Sequence, residues 1–140
     1  MNEFELITAL AKAYNKLDYK EIKDLVSENI VYESQRVFSP LFGKNNFLEF
    51  LEPKFETIRG YGDILYAEIA TIDIEKYSER FNFDNYKDKL CLLLSSNNDE
   101  KDEKPGLVFI KEENGLISNI SLCPDYPDSS LAKGTGVYPK

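Results

Sequence analysis

The chain has 140 residues, with 25 Asp and Glu against 17 Lys and Arg, a formal net charge of -8, two Cys and no His. That length suits one domain with one core, and the acidic balance opposes binding to the phosphate backbone of nucleic acid. The absence of His removes His-assisted general-base catalysis, the Ser/His/Asp and Cys/His arrangements, and the commonest zinc ligand.

Residues 3–17 place Ile7, Leu10, Ala11, Tyr14 and Leu17 at the three-and-four spacing of an apolar stripe, with Lys12, Asn15 and Lys16 on the other side, and so predict a helix. Asp18 stands as an N-cap three residues before Glu21, which predicts a short second helix burying Ile22, Leu25 and Val26. Ser27, Glu28 and Asn29 are expected to break it. Residues 30–37 then alternate as a strand, with Ile30, Tyr32, Ser34 and Arg36 on one face and Val31, Glu33, Gln35 and Val37 on the other.

A turn-containing connection, FSPLFG, leads into a third helix whose stripe is Phe47, Phe50, Leu51, Phe55 and Ile58. Pro53 lies inside that pattern and predicts a bend near residues 49–53, or two shorter helices. Gly60 and Gly62 close the helix, and ILYAEIATID reads as a strand. Residues 74–86 are consistent with a strand extension, a short helix or an aromatic-rich loop, and their two Phe and two Tyr suggest a covering role.

Residues 90–95 read as a short apolar strand, and the mixed-charge run at 99–104 as a solvated loop with no metal-binding character. Asn114-Gly115 between GLVFIKEE and LISNISLC predicts a two-residue hairpin, in which Glu113 faces Leu116, Lys111 faces Ser118 and Leu107 faces Leu122. Cys91 and Cys123 each sit in an apolar run and are expected to be reduced and buried, too far apart to bridge. From about residue 124 the density of Pro, Gly and Ser predicts an irregular surface tail.

No run approaches the roughly 20 apolar residues that cross a bilayer. MNEFELITAL carries acids where a secretory leader carries positive charge, so a cytoplasmic protein without a membrane partner is expected. The order of elements, helices first and antiparallel strands later, defines an α+β domain over residues 1–140.

The phrases LITALAKAYNKLDYKEIKDLVSENIVYES, the loop ending in FGK, NNFLEFLEPKFETIR and NGLISNISLC resemble the nuclear transport factor 2-like superfamily, which includes SnoaL-like and ketosteroid isomerase-like proteins. The resemblance covers about residues 3–123 and implies a cystatin-like roll: a cone of curved antiparallel sheet wrapped over about three N-terminal helices. It also implies an apolar cavity at the wide end and a homodimer through the outer sheet face. Its ligand-lining positions here would be Tyr14, Tyr32, Ser34, Arg36, Phe38, Phe42, Phe55 and Tyr66. An aromatic on a helical stripe is more often simple core, and each of these residues has that plainer reading.

The superfamily's isomerases pair a first-helix tyrosine with an acid near the end of the first strand. Tyr14 fits the first role, but the second falls on Ser34, which is no base near neutral pH, and Glu33 alternates away from Tyr32. Glu68 is the remaining acid that burial among apolar side chains would activate, with Arg36 as a counter-charge. The leading expectation is therefore a non-catalytic domain that binds a small apolar molecule and uses no cofactor. The alternatives are a small isomerase or lyase working through Tyr14 and Glu68, and a regulatory partner acting through the acidic surface.

Overall fold

A computed structural model describes residues 1–35, 39–73, 89–100, 103–124 and 128–140 of the chain. The elements are helix α1 (Glu3–Lys16), strand β1 (Val26–Ser34), strand β2 (Leu41–Phe42), helix α2 (Lys44–Gly60), and strands β3 (Leu65–Ile72), β4 (Leu90–Ser96), β5 (Gly106–Glu113), β6 (Leu116–Cys123) and β7 (Ala132–Gly134). The strands form one open sheet in the order β2-β1-β6-β5-β4-β3-β7. Both helices pack on one face of it, which is the α+β arrangement expected.

Helix α1 begins on a capping box: Glu5 N donates to Asn2 Oδ1 at 2.8 Å, and Asn2 N donates back to Glu5 Oε1 at 3.2 Å. Its stripe is buried as the spacing predicts, with Leu6, Ala9 and Ala13 added to the buried set. Leu17 closes it in the left-handed region (φ 53°), and the Arg59 guanidinium of α2 donates to the Leu17 carbonyl. Helix α2 runs unbroken through Pro53, which lies on its exposed side, where water can satisfy the carbonyl left without an N–H donor.

The second predicted helix does not form. Asp18 caps only a three-residue 3₁₀ turn, Tyr19–Glu21, accepting from Lys20 N at 3.0 Å. The strand begins at Val26 rather than Ile30, because Val26 pairs with Ile117 of β6, and Ile117 N donates to Leu25 O at 2.8 Å. The polar Ser27-Glu28-Asn29 segment marks an irregularity inside β1, between Val26 and Val31, instead of a helix end. There are thus two α-helices among the described residues, and the sheet is mixed rather than antiparallel, since β1 runs parallel to β6.

At the hairpin, Asn114 (φ 56°) and Gly115 (φ 80°) take the positive φ values of a mirror-image turn, and Glu113 faces Leu116. One residue later the register slips: Glu112 faces Ile117 and Lys111 faces Asn119, leaving Ser118 bulged with its hydroxyl donating to Lys111 O at 3.2 Å. Leu107 therefore faces Cys123, not Leu122. The slip has a packing reason, because it turns both Ile117 and Ile120 onto the helix-facing side, where each is fully buried.

The tail is more ordered than its composition suggests. A 3₁₀ turn at Ser129–Leu131 delivers β7 to the free edge of β3, pairing Ala132 with Ile72 and Gly134 with Ala70. Beyond β7 the pairing continues through Thr135 N to Ile69 O (3.0 Å) and Ile69 N to Val137 O (2.9 Å). Asn15 of α1, expected on the outer side of its helix, then completes the edge. Its side-chain amide accepts from Ala67 N (2.6 Å) and donates to Ala67 O (3.1 Å) and Pro139 O (2.6 Å).

A second buried cluster occupies the opposite face of the sheet, with Ala70, Ile72, Cys91, Leu107, Phe109 and Ala132 covered within a single chain. Both cysteines are free thiols; Cys91 is buried as expected, whereas Cys123, at the end of β6, is only half-buried. They share this outer face with the whole width of β5 between their strands, but not at opposite ends of the sheet as the hairpin register suggests from sequence: Cys123 faces Leu107, and Leu92, next to Cys91, faces Val108. Among the described residues, no helix is long and apolar enough to cross a membrane. The uncertain stretch at 74–86 lies outside the described residues.

Candidate functional site

The space under the sheet is filled by aromatic rings from three elements. Tyr14 of α1 meets Phe55 of α2 edge-on, with ring centroids 5.9 Å apart. Tyr32, on the helix-facing side of β1, lies against Phe47 (5.5 Å) and Phe50 (5.3 Å) of α2. The helical period brings Phe47, Leu51 and Phe55 onto one face, and strand alternation turns Ile30 and Tyr32 towards them.

Tyr14 and Tyr32 are each only 5% exposed, yet neither hydroxyl has a hydrogen-bond partner among the described residues. Burial raises the pKa of both phenols, that of Tyr32 to about 12, and the neighbouring Tyr32 phenol raises that of Tyr14 further. Both stay protonated donors at any physiological pH. No charged residue is buried among the described residues, and no carboxylate contributes to the raised pKa of either phenol. No group of three or more Cys, Asp or Glu among those residues is arranged to hold a metal ion.

The other sequence-predicted residues are dispersed. Phe55 joins Tyr14 in the core, but Phe42 is 63% exposed on the edge strand β2. Ser34 borders a recess of about 650 Å³ that also includes Glu33, Lys111 and Cys123. Tyr66 opens onto a separate surface recess near the end of α1. Arg36 and Phe38 lie outside the described residues.

Glu68 sits on the side of β3 away from the helices, alternating with the buried Ala67 and Ile69. Its carboxylate accepts from Gly136 N at 2.8 Å and Tyr138 Oη at 3.1 Å, and it lies so close over Gly134 that a Cβ there would meet Oε2 at 2.1 Å. The proposed Tyr14–Glu68 pair is therefore not assembled, and Glu68 fastens the tail instead.

Beside the aromatic cluster, the ends of β3, β4 and β6 leave a recess of about 560 Å³ in which Leu65, Leu94 and Leu122 are overlooked by Lys54. The Lys54 ammonium lies 5.3 Å from the Phe50 ring centre, and partial desolvation lowers its pKa although the residue as a whole is exposed. Sequence reasoning missed Lys54 because it falls outside the apolar stripe of α2.

No protein-family model matches the chain, and no curated protein matches it. Solved structures do. An uncharacterised nuclear transport factor 2-like protein from Cytophaga hutchinsonii aligns over 89% of this chain and 91% of its own, at 15% identity and a TM-score of 0.53. The fold is that of the nuclear transport factor 2-like proteins. An epoxide hydrolase from Mycobacterium tuberculosis shares this fold over 89% of this chain and 86% of its own, at 14% identity and a TM-score of 0.54. So does a de novo designed curved-sheet protein, over 90% and 89%, at 14% identity and a TM-score of 0.57. A designed sequence reaching the same cone indicates how far sheet curvature and packing alone determine the nuclear transport factor 2-like fold.

Proposed function

We propose that this chain is a non-catalytic binding domain that takes up a small, mostly apolar molecule carrying a hydrogen-bond acceptor, admitted between α1, α2 and β1 when the closely packed rings around Tyr14 and Tyr32 part to make room for it. The observation that carries this reading is the pair of buried hydroxyls, Tyr14 and Tyr32, with no partner among the described residues. About nine in ten buried polar groups are paired, and two unpaired phenols in one apolar shell suit a shared acceptor such as a ketone oxygen. Catalysis is disfavoured because the acid that would act with Tyr14 is engaged on the other side of the sheet.

The test is a titration with 2-acetonaphthone, an uncharged aromatic ketone, followed by amide chemical shifts and thermal shift. Binding should perturb α1 and β1 around Tyr14 and Tyr32. Tyr14→Phe and Tyr32→Phe should each weaken it by about two- to twelvefold, the range of one net hydrogen bond. Unchanged affinity in the double Phe variant, or no saturable binding at millimolar ketone, refutes the proposal.

A further inference from the structure

Among the described residues, three of the eight large apolar side chains that are exposed converge on one place. Ile64 (47% exposed), Tyr66 (42%) and Tyr138 (44%) meet in one recess of about 740 Å³, between the end of α1, the start of β3 and the tail. That volume suits a small ligand, and a concentration of exposed apolar surface in a concave site is uncommon without an occupant. The recess exists because the tail is strapped to the edge of β3: Tyr138 is held there by Glu68 and Pro139 by Asn15.

Its charge is the reverse of the molecule's. The chain is acidic overall, yet no Asp or Glu is among the described lining residues, whereas Lys16 and Lys140 are. Lys16 shares its charge with Glu21 at 2.8 Å, while Lys140 has no ion pair among the described residues. The hydroxyls of Tyr66 and Ser95 have no described side-chain partner and add two donors.

From this juxtaposition we infer that the recess is a second ligand site, separate from the aromatic cluster under the sheet, and that it takes an aromatic carboxylate. The ring system packs against Ile64, Tyr66 and Tyr138. The carboxylate is met by the ammonium groups of Lys16 and Lys140. Glu21 and Glu68 are engaged at the border by Lys16 and Tyr138, and the lining itself offers ammonium groups and no carboxylate, which favours an anion by charge complementarity.

The inference is tested on the full chain with sodium 2-naphthoate, monitored by amide chemical shifts, with 2-naphthylmethylammonium as the oppositely charged comparison. Naphthoate should shift the amides of Tyr66, Ser95, Tyr138 and Lys140 saturably. Lys16→Gln and Lys140→Gln should each weaken it about two- to fivefold at low salt, an effect that shrinks at 0.5 M NaCl on the order expected for exposed charges. Tyr66→Ala, at an exposed position that leaves the core intact, should weaken it further, and Tyr14→Phe and Tyr32→Phe should leave it unchanged. Three results overturn the inference: equal binding of the ammonium compound, naphthoate shifts that follow Tyr14 and Tyr32 instead, or shifts of these amides with protein concentration alone, which would make the recess a self-association surface. Because the ketone and the carboxylate are read at different residues, either site can fail without the other.

Discussion

Replacing Asn15 with Ala tests the strap at its most connected point. The Asn15 amide supplies three hydrogen bonds, two to Ala67 and one to Pro139, and Ala67 is fully buried. The substitution leaves the Ala67 N–H and C=O without partners on an edge that β7 does not reach, and each orphaned buried group costs about 1–3 kcal/mol. The contact is only partly buried, so water will recover some of that, and a net loss of about 2–3 kcal/mol is expected. In urea, followed by far-UV circular dichroism, this should lower the midpoint by about 1–2 M at an unchanged slope. Asn15→Asp keeps the acceptor for Ala67 N but sets a carboxylate against two carbonyls, which raises its pKa in the folded state. Its deficit should therefore be largest at neutral pH, shrink as the pH falls through the raised folded-state pKa, and level off below about 4, where both states are protonated. An Ala variant within about 0.5 kcal/mol of the parent would show that the strap contributes nothing to the fold.

In the ligand-free protein, Tyr14→Phe and Tyr32→Phe should raise stability or leave it unchanged, by up to about 1 kcal/mol, since each removes an unpaired buried hydroxyl; a loss above that in chemical denaturation would mean the hydroxyls are already satisfied. Gly134→Ala should push the Glu68 carboxylate off the tail, and faster amide exchange of Gly136, whose N–H donates to Glu68, is the readout; unaltered protection would contradict the contact. Burial raises Cys91 to about 12 and Cys123 to about 11 from the ordinary 9.0. Because folding disfavours the thiolate, this stability is fully present below pH 9 and is lost as pH rises through 11 to 12, so denaturation midpoints should fall over that window. Replacing both cysteines with Ala should flatten the decline, and an undiminished slope would assign it elsewhere.

What could be read from the chain was whatever repeats locally. The stripe of α1, the positive-φ turn at Asn114-Gly115 and the burial of Phe47, Leu51 and Phe55 all follow from spacing within one element. What was misread depends on partners distant in sequence. Val26 looks helical beside Ile22 and Leu25, but a backbone ladder with β6 outweighs a weak local preference. The bulge at Ser118 is visible only when the spacing of Ile117 and Ile120 is set against a one-sided core. The tail defeats a compositional reading because its order comes from the free edge of β3, and Asn15 is drawn inward by that same edge. Among the candidate lining residues, all placed by resemblance, Tyr14, Tyr32 and Phe55 also lie on periodic faces and are buried together in one core, whereas Phe42 and Tyr66 are exposed.

The parallel pairing of β1 with β6 has a kinetic corollary. These two strands are neighbours in the sheet but about 90 residues apart in the chain, and contacts of such range are slow to form because loop closure precedes any reward. During synthesis on the ribosome, β1 must wait, with α2 packed on its hydrophobic side and β2 along one edge, until residues 116–123 have emerged. The nascent protein should therefore pass through a stage in which its first strand has one long edge still unpaired, and that stage is where a chaperone would find it.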